Sequence, residues 1–192
     1  KMNKQTTKLL LVAAVILLTA TMRFINNEFH IYNLVPVAAL GIFSGSILKN
    51  KYQAYLIPLF AMLLSDMGIA LFTNMQGFYG ISQFVNYGAL ALVTFVGTHL
   101  SKRSIVNIAG FTIGGSLIFF LLSNFGTFLS GYYGYSLEGF TTCFTLAIPF
   151  YKSELANTFF MNSFLGDLCF SFIAFGIYFL AKKKIPTLAL AK

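Results

Sequence analysis

Two of the five carboxylates in this 192-residue chain, Asp66 and Asp167, stand inside long apolar runs, and one cation, Arg23, does the same. An ionisable side chain in such a setting is costly in a bilayer and tends to face a bundle interior or a water-filled cavity, where it binds solute, relays protons or meets an opposite charge. Arg23 can pair with Asp66 or Asp167 and so neutralise a buried charge. With two anions for one cation, a carboxylate is left to hold a ligand or a proton. Asn33, Asn86, Asn124 and Asn162 add amide donors and acceptors to the same kind of apolar stretch. The run from Gly131 to Tyr151, GYYGYSLEGFTTCFTLAIPFY, offers Tyr132 and Tyr135 among its aromatics. Such rings could cover a flat or amphiphilic ligand, although tyrosine is equally ordinary in an interfacial belt. The candidate ligand-binding set is therefore Arg23, Asn33, Asp66, Asn86, Asn124, Tyr132, Tyr135, Asn162 and Asp167.

Catalytic patterns are weak, and no enzymatic activity is expected. Intramembrane aspartyl proteases use a Tyr-Asp and a Gly-x-Gly-Asp element, whereas the contexts here are Leu64-Ser65-Asp66 and Leu165-Gly166-Asp167. His30 falls in an outer loop and His99 at a cytoplasmic helix end, too far apart to share a metal. Cys143 alone is a poor metal site, and Cys143 with Cys169 makes no disulfide scaffold. No metal or other cofactor is expected. A phosphate-cradling glycine loop is absent from the sequence, so ATP-driven action would have to come from a partner.

The elements that position these residues follow from composition. The chain is 57% hydrophobic and 9% charged with a formal charge of +8, and its mean hydropathy is +0.78. Those values exclude a disordered tail, a nucleic-acid-binding domain and an ordinary cytosolic enzyme. Crossing the hydrocarbon layer takes about 20 apolar residues as a helix. Six such stretches are present: 9–25, 31–48, 52–73, 82–100, 105–130 and 158–181. They are too long and too continuously apolar for barrel strands, so the expected fold is an all-α bundle of six transmembrane helices forming one domain over 1–192. The first run, Leu9 to Leu18 after a basic start, has the outline of a secretory signal. Thr19 to Met22 makes a poor cleavage site, so it is expected to remain as the first span.

Charge sets the orientation. Lys1, Lys4, Lys8, Lys49, Lys51, Lys102, Arg103, Lys182, Lys183, Lys184 and Lys192 all fall on one side if six helices alternate, with Glu28, Glu138 and Glu154 opposite. The positive-inside rule makes that side, and both termini, cytoplasmic. A multi-pass protein of a bacterial cytoplasmic (inner) membrane is expected. At about 1.5 Å per residue, Asp66 and Arg23 lie about 21 Å from the inner face and Asn124 about 28 Å, while Asp167 lies about 13 Å below its outer helix end. The polar groups thus form a crown over cytoplasmic halves made of Leu, Val, Ile, Phe, Ala and Gly. A pore would need polar lining throughout; a crown suits capture of a small molecule from outside. Gly41 with Gly45 and Gly110 with Gly114 have the spacing of close helix contacts, read here as packing within the chain. No internal repeat supports an inverted-repeat transporter.

Several segments carry a family likeness: NLVPVAALGIFSG at 33–45, PLFAMLLSD at 58–66, SLIFFLLSNF at 116–125, CFTLAIPF at 143–150, and Gly166-Asp167-Leu168. With these the chain resembles a family of uncharacterised bacterial six-helix membrane proteins, itself similar to the substrate-binding S components of energy-coupling factor (ECF) transporters. The resemblance implies uptake of a vitamin-type micronutrient, driven by a transmembrane coupling subunit with two ATPases. Many S components dock through an Ala-xxx-Ala surface on the first helix, and Ala13, Ala14 and Ala20 do not give that spacing. Solitary action, or membership of another membrane complex, therefore stands beside the coupling module. The expected partners are a small solute and the lipid bilayer, with no nucleic acid. A structural or accessory subunit that binds no solute is the competing expectation.

Overall fold

The structure, a computed structural model, describes residues 36–74, 76–147 and 159–184 together with residues 14, 21 and 22. Within the last helix, side chains are described from 164 to 183. Among the described residues the chain is all helical: α1 Val37–Ile47, α2 Lys51–Phe72, α3 Ile81–Thr98, α4 Ile105–Leu129, α5 Leu137–Thr145 and α6 Phe159–Lys184. Four of these helices are long and apolar enough to cross a membrane. Their ends lie within three residues of the expected spans. The expected span at 9–25 lies outside the described residues apart from residues 14, 21 and 22.

The organising element is the short one. The α1 sequence VAALGIFSGSI is apolar or small on every side, and a helix of that kind must be buried all round. Every residue from Ala38 to Ser46 is buried, and α2, α3, α4 and α6 all pack on it. Residues 31–35 of the expected span 31–48 lie outside the described residues. The helix begins at Val37 behind Pro36, whose φ is −79°. Proline suits a helix start because its missing N–H would have no intrahelical partner there. Eleven residues reach about 16 Å, roughly half of the hydrocarbon layer.

Glycine lets α1 meet α3 backbone to backbone. A Cβ on Gly45 would lie 2.3 Å from the Thr94 carbonyl oxygen, and one on Gly97 would lie 2.7 Å from the Ile42 Cα. Gly41 and Gly45 thus serve packing within the chain. The second glycine pair differs: among the described residues nothing lies within 4 Å of a Cβ built on Gly110 or Gly114, and it is Gly115 that faces Val93 and Ile42. Below this seam Ile42, Phe43, Val93, Leu100, Ile108, Phe175 and Tyr178 form the apolar core, with the Phe43 and Phe175 rings edge to face at 5.2 Å. The outer faces carry exposed Leu56, Phe60, Leu71, Phe84 and Leu121, the surface expected against lipid.

Charge separates the two ends of the bundle. Lys49, Lys51, Lys102 and Arg103 sit at the α1–α2 and α3–α4 turns, with Lys182 and Lys183 at the end of α6. The Arg103 guanidinium donates to the Ser46 carbonyl and ties the α3–α4 turn to the last turn of α1. At the other end the Ser82 hydroxyl donates to the Gly126 carbonyl at 2.7 Å, pinning the start of α3 to the end of α4. The aromatic run after α4 is not a plain loop. Gly131 and Gly134 turn the chain with φ of 72° and 80°, and Ser136 then caps α5 by accepting from the Gly139 N–H at 3.0 Å.

Candidate functional site

The two aspartates of the apolar helices do different work. Asp167, on α6, is 1% exposed. Its Oδ1 accepts from the Ala39 N–H at 2.9 Å and its Oδ2 from the Ser116 hydroxyl at 2.7 Å. The first N–H groups of any helix lack intrahelical acceptors, and for α1 they fall where no bulk water is at hand. A carboxylate from a neighbouring helix fills that need at the positive end of the helix dipole. One turn further along the α4–α6 seam, the Thr112 hydroxyl donates to Ser171 Oγ at 2.8 Å.

Asp66, on α2, is fully buried. Its Oδ2 accepts from Gln83 Nε2 at 3.0 Å and from the Tyr87 hydroxyl at 2.7 Å. Gln83 and Tyr87 stand four residues apart, so they share a face of α3, and Gln83 Nε2 also donates to the Tyr87 oxygen at 3.0 Å. Gln83 Oε1 in turn accepts from the Tyr79 N–H at 3.3 Å, drawing in the α2–α3 loop. That loop folds back closely: a Cβ on Gly77 would lie 2.1 Å from the Asp66 carbonyl oxygen. Beside this network, Ser65 Oγ and Asn86 Oδ1 are buried with no hydrogen-bond partner among the described residues.

Register places these groups at one level. Helices α1 and α3 run in the same direction, with Gly41 facing Val93 and Thr94 and Gly45 facing Thr94, Gly97 and Thr98. Continuing that offset sets Val37 beside Leu90. Asn86 therefore lies one turn beyond the start of α1, about 6 Å further from the cationic end, on the stripe of α3 that packs against α1 lower down. Asp66, held between Gln83 and Tyr87, shares that level. Polar groups from α2 and α3 thus stand just above the N-terminus of α1, which Asp167 holds from α6.

Of the other candidates, Asn124, Tyr132 and Tyr135 are described, and no hydrogen bond joins them to that network among the described residues. Asn124 Nδ2 donates to the Phe120 carbonyl of its own helix at 2.8 Å. Asn124 also sits between Phe120 and Phe128, whose rings contact Phe144 at 6.3 Å and Phe140 at 5.3 Å on α5. Tyr132 and Tyr135 are 76% and 72% exposed. Tyr135 is tied to the end of α4, its hydroxyl donating to the Leu129 carbonyl at 3.3 Å and its ring on Phe128 at 6.1 Å. Between them Tyr133 has its hydroxyl pKa raised by burial, with Tyr132 and Cys143 adding to the shift. Arg23 and Asn33 lie outside the described residues, as does the side chain of Asn162, so the pairing of Arg23 with either aspartate does too. Among the described residues no three His, Cys, Asp or Glu side chains gather where a metal ion could bind. Cys143 and Cys169 are free thiols.

Gln83, Tyr87, Ser65 and Ser116 escaped the sequence reading. The signal for the first two was present, a Gln and a Tyr at helical spacing near the outer end of an apolar span. Residues 3–188 match the model of a family described as a family of unknown function (DUF6580). No curated protein and no solved structure matches the chain.

Proposed function

With nearly its whole length matched, the chain belongs to the DUF6580 family, and we propose that it captures a small solute in the membrane for uptake, entering from the end opposite the cationic one. On this reading six spans cross a bacterial cytoplasmic membrane and both termini are cytoplasmic, as the charge segregation supports. The observation that carries the proposal is the polar level above α1. There Asp66, Gln83 and Tyr87 are networked, while Ser65 Oγ and Asn86 Oδ1 are buried with no partner among the described residues. A buried polar atom without a partner costs about 1–3 kcal/mol, and a bound solute that bonds to it would recover that. The solute is a micronutrient of the vitamin type, handled as S components handle theirs, with a coupling subunit and its ATPases or another membrane complex as partner.

The competing reading, an accessory subunit without a solute, draws on Asp167, both of whose oxygens serve the fold. Mass spectrometry of the purified protein separates the two. A co-purified small molecule that is retained by the native protein and lost from Asn86→Leu and Ser65→Ala supports capture. Its absence from protein extracted in several mild detergents, or its equal retention by both variants, would reject this site.

A further inference from the structure

Helix α5 lies where an ordinary loop would not. Its rings and the tyrosine before it step down the side of α4, Tyr135 on Phe128 at 6.1 Å, Phe140 on Phe128 at 5.3 Å and Phe144 on Phe120 at 6.3 Å, while Phe140 and Phe144 touch within α5 at 5.0 Å. Phe120 precedes the end of α4 at Leu129 by nine residues, about 13 Å of helix axis. The 25 residues of α4 extend about 37 Å, against a hydrocarbon layer of about 30 Å. Shared between the two ends, the excess leaves Leu129 about 4 Å outside that layer and Phe120 about 10 Å within it. The last turn of α5 is therefore at hydrocarbon depth.

Its side chains are built for that depth. Thr141, Thr142 and Thr145 supply the polar side of the lower turns, and each hydroxyl donates to a carbonyl of α5 itself, at 2.9 Å to Glu138, 2.7 Å to Glu138 and 2.9 Å to Thr141. A hydroxyl folded back in this way has its hydrogen on a partner and turns its methyl outward, which is what a lipid-facing helix requires. Glu138 sits in the first turn, at the shallow end. Leu137 and Leu146 are exposed, and on α4 the exposed Leu121, Phe125 and Leu129 carry the apolar face onward.

We infer that α5 is a re-entrant membrane helix, entering the hydrocarbon layer beside α4 and presenting its threonine side to the acyl chains of surrounding lipid. The native chain contains no tryptophan, so single tryptophans report without background. Thr145→Trp, Glu138→Trp and, as the lipid-facing reference, Leu121→Trp are reconstituted in phosphatidylcholine vesicles. Each is measured again in phosphatidylcholine brominated at mid-chain, and with acrylamide in the water. The tryptophan at 145 should lose most of its emission to brominated lipid, as the one at 121 does, and resist acrylamide. The one at 138 should do the reverse. Quenching at 145 by acrylamide alone would show an aqueous helix, and insensitivity to both quenchers would show a protein surface covering it; either overturns the assignment. Thr141→Trp repeats the measurement one turn higher should Thr145→Trp not fold.

Discussion

Replacing Asp167 by alanine should be among the most damaging single changes in the chain, by an amount the structure lets one work out. The substitution strands the Ala39 N–H and the Ser116 hydroxyl in a water-free interior, at about 1–3 kcal/mol each. It also removes the negative charge facing the start of α1, and loss of an N-terminal cap costs about 0.5–2 kcal/mol. Because the cap and the Ala39 bond are one interaction counted from two sides, the expected loss is about 3–5 kcal/mol. Asp167→Asn keeps a carbonyl oxygen for Ala39 and a side chain of the same shape, so it should cost only about 1–2 kcal/mol, mostly the charge–dipole part. Ser116→Ala in the Asp167→Ala background should cost almost nothing more, since its partner is already gone. Reversible unfolding in mixed micelles, followed by circular dichroism, measures all three. Equal stability of Asp167→Ala and the native protein would refute the argument, and so would an Asp167→Asn penalty as large as that of alanine.

Four further outcomes are expected. Gly45→Ala should destabilise the bundle by at least about 3 kcal/mol because its methyl meets backbone, whereas Gly114→Ala should be neutral or stabilising by up to about 1 kcal/mol through helix propensity; unfolding curves of the two decide it. Tyr87→Phe, which keeps the ring and removes the hydroxyl between Asp66 and Gln83, should cost about 1–3 kcal/mol by the same assay, and a double-mutant cycle of Arg23 with Asp66 should be non-additive if those two pair. With Cys143 and Cys169 replaced, Glu138→Cys should react with an impermeant thiol reagent from outside intact cells, and Lys51→Cys and Lys102→Cys only after the inner face is opened; labelling of Lys102→Cys from outside would overturn the orientation.

What the sequence made legible was mostly translational. Run lengths located α2, α3, α4 and α6 because hydrocarbon thickness dictates how many apolar residues a span needs, and cost alone singled out Asp66 and Asp167. Rotation was illegible. In helices that are apolar on most sides, little distinguishes the face that meets a neighbour from the face that meets lipid, so Gln83, Tyr87 and Ser116 could not be assigned to their aspartates. The start of α1 was only half legible for the same reason: Pro36 suits a helix start, but the carboxylate that meets Ala39 comes from a helix whose facing could not be read. Helix α5 was missed because Gly131 and Gly134 suggested a loop throughout, although Ser136 followed by Glu138 has the form of a helix start.

The bond from Arg103 to Ser46 and the bond from Asp167 to Ala39 grip α1 at its two ends, and together they turn it into a gauge block. One extra residue between them would lengthen the helix by about 1.5 Å and rotate one end against the other by about 100°. Gly45 would then leave α3 while one of the two charged grips was lost. A substitution can be absorbed by a neighbouring side chain, but a change of count cannot be shared out in this way. The distance from the cationic end to the polar level is therefore held as a whole number of residues, and the height of that level in the membrane is set by counting along α1.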